Sequence, residues 1–154
     1  MASGLVVAVV GATGAVGQTT LRILEERKFP VRELRPFASA RSAGKTVTFK
    51  GEAVRVEEVG PGGFKGVEIA LFSAGAAQAK EYAPLAVKAG AVVVDKSSAF
   101  RMDPHVPLVV PEINAHAVRG HRGIVACPNC TSIVTVMPLK PLHEAGRLRR
   151  VVAT

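Results

Sequence analysis

The sequence predicts a doubly wound α/β domain on a mostly parallel sheet, and three features carry that expectation. A continuous apolar run at residues 5–10, and a mostly apolar one at 67–72 (VEIALF), suit strands buried on both faces. Stretches with helical spacing lie between such runs, and strand–helix–strand order implies right-handed parallel crossovers. A glycine turn directly follows the first run.

Leu5–Val10 is the first strand, ending in Gly11-Ala12-Thr13-Gly14-Ala15-Val16-Gly17. Residues 18–28 set Leu21, Ile23 and Leu24 among polar neighbours and close on Phe29-Pro30, which predicts a helix. Residues 31–38 give a second strand. Residues 47–59 alternate loosely around Lys50-Gly51, the pattern of an inserted hairpin. Pro61-Gly62-Gly63 is a loop, and the strand at 67–72 leads to a helix at 76–89 and a strand at 91–95. Residues 107–110 and 124–126 are shorter strands. The last helix, 131–145, is expected to be interrupted or kinked by Pro138 and Pro141. Residues 148–154 begin another strand.

A length of 154 residues suits one domain, and 48% hydrophobic with 21% charged residues supports a packed core. No apolar run approaches the roughly 18 residues of a membrane span. The N-terminus lacks the basic flank and cleavage site of a secretory signal, so a cytoplasmic protein is expected. The net charge of +8 invites an anionic partner. Its 20 Lys and Arg are dispersed, and 5% aromatics with no Trp leave little platform for stacking bases. A small anionic ligand is expected, with neither nucleic acid nor membrane.

The glycine turn suggests which ligand. Strand, G-x-x-G-x-x-G and helix form a Rossmann-like arrangement, in which glycine lets backbone approach a pyrophosphate held at the helix N-terminus. The spacing departs from G-x-G-x-x-G at the second glycine. An NAD site usually places an acid at the end of the second strand to bond the ribose 2′-hydroxyl. Here the segment reads Phe37-Ala38-Ser39-Ala40-Arg41-Ser42, without an acid. Arg41 can pair with a 2′-phosphate and Ser39 can donate to it, so NADP is the expected cofactor.

Cys127 and Cys130 bracket Pro128-Asn129 between a strand and the last helix. Their separation closes too small a loop to staple a fold, and a reducing compartment is expected. Cys130 falls near a helix N-terminus, where the dipole favours a thiolate that can attack a carbonyl and form a thioester. Competing readings are a CxxC redox couple, two ordinary buried cysteines, or a zinc site. The last lacks a second cysteine pair, and His105, His116, His121 and His143 show no completing spacing; no metal is expected.

Six segments together resemble aspartate-β-semialdehyde dehydrogenase. They are residues 11–17 (GATGAVG), 38–44 (ASARSAG), 72–75 (FSAG), 97–103 (SSAFRMD), 111–114 (PEIN) and 128–131 (PNCT), in family order across nearly the whole chain. The resemblance implies NADPH-dependent reduction of β-aspartyl phosphate to aspartate semialdehyde and phosphate, serving lysine, threonine and methionine synthesis. It implies Cys130 as nucleophile, Asn129 as its positioning neighbour, and Arg101 as a clamp on substrate phosphate, with Ser98 and Lys96 beside it. Gly11, Thr13, Gly14, Ala15, Val16 and Gly17 are expected around the cofactor phosphates, Ser39 and Arg41 at the 2′-phosphate, and Ser73, Ala74 and Gly75 along the nicotinamide half. The family is homo-oligomeric, usually dimeric.

Two positions depart from that pattern: Cys127 and Lys96 stand where the family usually has Asn. Cys127 offers a thiol that would trap Cys130 as a strained disulfide on oxidation, and Lys96 either adds positive charge near phosphate or disturbs the nicotinamide and phosphate contacts. By this resemblance, residues 1–130 form the NADP-binding domain and 131–154 open the substrate and dimerisation domain. The general acid/base histidine and the substrate-carboxylate arginine are expected beyond Thr154, and this chain alone is expected to be inactive.

N-acetyl-γ-glutamyl-phosphate reductase is the nearest rival, but its cysteine usually follows Pro-Gly rather than Pro-Asn. A short-chain dehydrogenase needs Tyr-x-x-x-Lys, whereas Tyr82 is followed four positions later by Ala86. A non-catalytic nucleotide-binding or CxxC redox module is the alternative from another class.

Overall fold

β1 (Leu5–Val10) occupies an inner position of a six-stranded sheet because its apolar side chains find partners on both faces. The computed structural model describes residues 4–152. The strand order is β5 (Glu57–Glu58), β2 (Val31–Ala38), β1, β6 (Ile69–Phe72), β7 (Val92–Asp95), β8 (Ile124–Ala126), and every pairing is parallel. Val7 and Val9 pack with Leu21 and Leu24 of α1 (Ala15–Glu26) on one face. Val6, Ala8 and Val10 share the other core with Phe64, Phe72 and Ala79, Ala83 and Ala86 of α2 (Ala76–Lys88). Those three alanines lie on one stripe of α2, and their small size lets it approach the sheet closely. Helices on both faces make this the doubly wound, Rossmann-like fold that the sequence predicts.

From β1 the chain winds outward through α1 to β2, then returns to pair β6 against the other side of β1. The C-terminal ends of β1 and β6 therefore flank a topological switch point, where such sheets open a ligand crevice.

Four details differ from the sequence-based expectations. The 47–59 hairpin closes earlier: β3 (Thr46–Phe49) pairs antiparallel with β4 (Glu52–Arg55), and β5 swings away to join β2. Lys50 and Gly51, at φ 52° and 81°, form the tight two-residue turn. Residues 107–110 make only a single parallel bridge, Leu108 to Ala126, instead of a strand. Two short helices follow, α3 (Pro111–Asn114) and a 3₁₀ segment, Ala115–Gly120. α4 (Cys130–Gly146) runs through Pro138 and Pro141 without interruption. Each proline removes one helical hydrogen bond, and no residue of α4 is buried, so water can satisfy the freed carbonyls. Finally, residues 148–152 form no strand, because no neighbouring strand pairs with them among the described residues; Ala153 and Thr154 lie outside those described.

Candidate active site

The glycine turn divides its work among three positions. Gly11 has φ +85°, and a Cβ there would lie 2.7 Å from Ser73 O, so glycine joins the β1 and β6 ends. Gly17 is buried in the first turn of α1, where a Cβ would meet Gly11 O at 2.1 Å. Gly14 caps α1 with an ordinary extended backbone, and a Cβ would touch only Gly11 O, at 3.4 Å. The fold itself therefore does not require glycine at 14. Open space at that Cβ, beside first-turn N–H groups without intrahelical partners, suits the close approach of an anion.

A cleft of about 410 Å³ lies along these strand ends. It is lined by Gly11, Thr13 and Gly14 from the turn, Ser39, Arg41 and Ser42 beyond β2, and Ser73, Ala74 and Gly75 beyond β6. Ala15 is an exposed first residue of α1, and Gly17 lies beneath the turn rather than in the cleft. Glu58, Gln78, Glu81 and Tyr82 also line it. Sequence reading missed these four, and for Glu58 no local signal exists: it arrives because β5 pairs with the end of β2, setting Glu58 opposite Ala38. A hydrogen bond to Glu81, with smaller contributions from burial and from the Glu81 and Glu58 charges, pushes the Tyr82 phenol up.

A second cleft of about 410 Å³ shares Ser73 and Ala74 with the first. Val16, Lys96, Arg101, Cys127, Pro128, Asn129 and Cys130 line it. β7 and β8 deliver these groups. Fully buried Asp95 accepts hydrogen bonds from Ser97 N (3.0 Å) and Ser97 Oγ (2.8 Å), turning the chain sharply after β7. Arg101 then reaches back, its Nε donating to Cys127 O and its Nη2 to Lys96 O, both at 2.9 Å. Arg101 thereby ties the ends of β7 and β8 and is held against the cysteine loop. Ser98 is exposed in the bend and lines neither cleft. The structural roles of Asp95 and Ser97 escaped sequence reading, although an Asp ending a strand before Ser is a usable turn signal.

Asn129 caps α4: its Oδ1 accepts from Thr131 N at 2.9 Å and from the Thr131 hydroxyl. Cys130 is the first helical residue, is exposed, and directs its thiol to Asn129 Oδ1 at 3.8 Å. Losing an Asn cap typically costs about 1 kcal/mol. Asn129→Ala is accordingly expected to speed amide exchange at Thr131 by about fivefold, read by hydrogen-exchange mass spectrometry; unchanged exchange would refute the capping role. Cys127 is half-buried, and both cysteines are free. Burial pushes the Cys127 thiol up, with Asp95 adding to the shift and Lys96 and Arg101 opposing it. Burial likewise pulls the Lys96 ammonium down, partly opposed by Cys127.

Among the described residues, none of the four histidines lines either of these clefts, no cluster of His, Cys, Asp or Glu could hold a metal, and no helix is long and apolar enough to cross a membrane.

Comparison with known proteins gives a consistent result. Aspartate-semialdehyde dehydrogenase of Aquifex aeolicus is 53% identical over 154 residues, covering 98% of this chain and 45% of that protein. The Bacillus subtilis enzyme of the same name is 52% identical, covering 100% of this chain and 44% of that protein. The chain thus spans less than half the length of these curated relatives. Among solved structures, aspartate semialdehyde dehydrogenase II from Vibrio cholerae, complexed with ASA, superimposes with a TM-score of 0.89 at 49% identity. That match covers 93% of this chain and 47% of the other. Aspartate semialdehyde dehydrogenase with NADP from Candida albicans gives a TM-score of 0.76 at 28% identity, covering 95% and 48%. Residues 6–121 match the family model described as semialdehyde dehydrogenase, NAD binding domain, and the chain belongs to that family.

Proposed function

We propose that this chain is the cofactor-binding part of an NADPH-dependent enzyme that converts β-aspartyl phosphate to aspartate semialdehyde and inorganic phosphate. The observation that carries the reading is the junction of the two clefts at Ser73 and Ala74, which sets the glycine turn on one side and Cys130 with Arg101 on the other. Relatives with about half of their residues identical bear the corresponding name, which supports the substrate assignment.

The first cleft fits a dinucleotide. Its open cradle at Gly14 and the α1 N-terminus suit the pyrophosphate, while Arg41 and Ser39 stand at the β2 end for a 2′-phosphate. The Candida albicans structure is of an enzyme with NADP, which supports the same choice. Cys130 Sγ attacks the acyl-phosphate carbonyl; a C–S bond forms and the C–O bond to phosphate breaks. Arg101, with Lys96 beside it, stabilises the departing phosphate by charge, whereas Ser98 lies outside both clefts. A nicotinamide dinucleotide held by the first cleft would supply the hydride needed to reduce the thioester carbon. Departure of Cys130 Sγ then releases the aldehyde and restores the thiolate. Asn129 positions the sulfur through the α4 cap.

Residues 1–130 would make up the cofactor-binding domain and 131–154 the opening of a substrate and dimerisation domain. Val134, Met137 and Leu142, exposed on α4, support this division, since apolar side chains there await a packing partner.

Calorimetric titration with NADP⁺ and NAD⁺, repeated on Arg41→Ala, tests the reading. Loss of the charged phosphate pairing is expected to weaken NADP⁺ by about 1.5–3 kcal/mol and leave NAD⁺ nearly unchanged. Equal weakening of both, or no binding of either, would overturn the assignment.

A further inference from the structure

We propose that Lys96 makes this chain hold the reduced form of a nicotinamide dinucleotide more tightly than the oxidised form; this rests on the cofactor reading above. The strand order orients such a ligand. Arg41 stands beyond β2, the glycine turn beyond β1, Ser73 beyond β6 and Lys96 beyond β7, in the order in which those strands lie side by side. A dinucleotide with its phosphorylated ribose at Arg41 and its pyrophosphate at the turn carries its nicotinamide past Ser73 toward Lys96.

Lys96 is held at that place. Its Nζ donates to Thr20 Oγ1 at 2.5 Å and lies 3.5 Å from Ser73 Oγ. Thr20 Oγ1 in turn donates to Val16 O at 2.7 Å, so one helix–strand network fixes the ammonium at the junction of the two clefts. Both of its partners are neutral hydroxyls, and no carboxylate forms an ion pair with it among the described residues. Cys127, its neighbour in the cleft, is pushed toward the neutral thiol by burial, and Arg101 adds a second positive charge. Burial pulls the Lys96 ammonium down, partly opposed by Cys127, and among the described residues no carboxylate is paired with it, so the junction is a half-buried cationic site.

Oxidised nicotinamide carries a positive charge, and the dihydronicotinamide ring is neutral. A fixed cation beside the ring raises the free energy of the oxidised complex alone, more strongly in a partly dehydrated cleft than in water. The rest of the dinucleotide is the same in both forms, so the effect is confined to their affinity ratio. Lys96 therefore biases the site toward the cofactor form that a reductive reaction consumes.

The test is titration of the 154-residue chain with NADPH and NADP⁺ near neutral pH, without phosphate or substrate, for the natural sequence and for Lys96→Met, Lys96→Gln and Lys96→Arg. The preference for NADPH is expected to shrink by about three- to tenfold in both neutral variants and to persist in Lys96→Arg. Two neutral variants are used because loss of the Thr20 hydrogen bond could unfold one of them, which circular dichroism would show. A role confined to substrate phosphate would leave the ratio unmoved. If the folded neutral variants bind both forms with the ratio unchanged, or lose both forms equally, the inference falls and the cofactor assignment stands. If the natural sequence binds neither form, the cofactor assignment falls and takes the inference with it.

Discussion

Gly17→Ala is expected to destabilise the chain by about 3 kcal/mol or more, the range of severe overpacking at a buried backbone contact. The added Cβ would lie 2.1 Å from Gly11 O and 2.8 and 2.9 Å from the Ala12 backbone. These atoms cannot step aside as a flexible side chain would. Gly11 N and Ala12 N both donate to Phe37 O, which pins the turn to β2. The helix must move instead, taking Leu21 and Leu24 out of the core beneath Val7 and Val9. Urea denaturation followed by circular dichroism measures the effect, which should lower the midpoint by about 1 M or more. Gly14→Ala is the control: its Cβ meets a single atom at ordinary contact distance, so stability should change by less than about 0.5 kcal/mol while NADP⁺ binding weakens. Equal midpoints for the two variants would refute this division of labour within the glycine turn.

Mild alkylation is expected to modify Cys130 at least about tenfold faster than Cys127, and Cys130→Ser to abolish acyl transfer from an acyl phosphate to the protein. The thiolate is the reacting species, and exposure controls access to it. Cys130 is exposed at the first position of α4, whereas Cys127 is half-buried with its backbone N–H bonded to Asp95 O at 2.7 Å. Burial raises the Cys127 thiol and the neighbouring cations only partly offset it, so its thiolate population is depleted at neutral pH and its labelling climbs as pH rises. Peptide mapping by mass spectrometry after iodoacetamide treatment separates the two sites. Faster labelling of Cys127 would transfer the nucleophile assignment to it and dismantle the proposed chemistry.

The main strands and helices were legible because each has a short-range cause. The valines of β1 need burial on both faces, so the run is recognisable as an inner strand. The turn at Gly11 requires positive φ, and Lys50-Gly51 supplies the tight hairpin turn. Asn129 was expected only as a positioning neighbour of Cys130; the structure shows that it also caps α4, a role its residue type permits. The final segment was misread for an instructive reason. Val151 and Val152 have strand-forming side chains, yet a strand also needs a neighbour's hydrogen bonds, and propensity carries no information about one.

Local sequence thus determined the order of strands and helices, the glycine turn with its anion-ready helix, and the capped helix that presents Cys130. Each depends on backbone geometry or burial within a few residues. Only the tertiary structure decided that Glu58 faces the same cleft as Arg41, that Arg101 braces the ends of β7 and β8, and that Lys96 reaches Thr20 and Ser73. Thr20 and Lys96 lie 76 positions apart, and nothing in either neighbourhood encodes the contact. It arises because parallel strands deliver their C-terminal loops to one edge of the sheet, where charge that is dispersed along the chain is brought together in space.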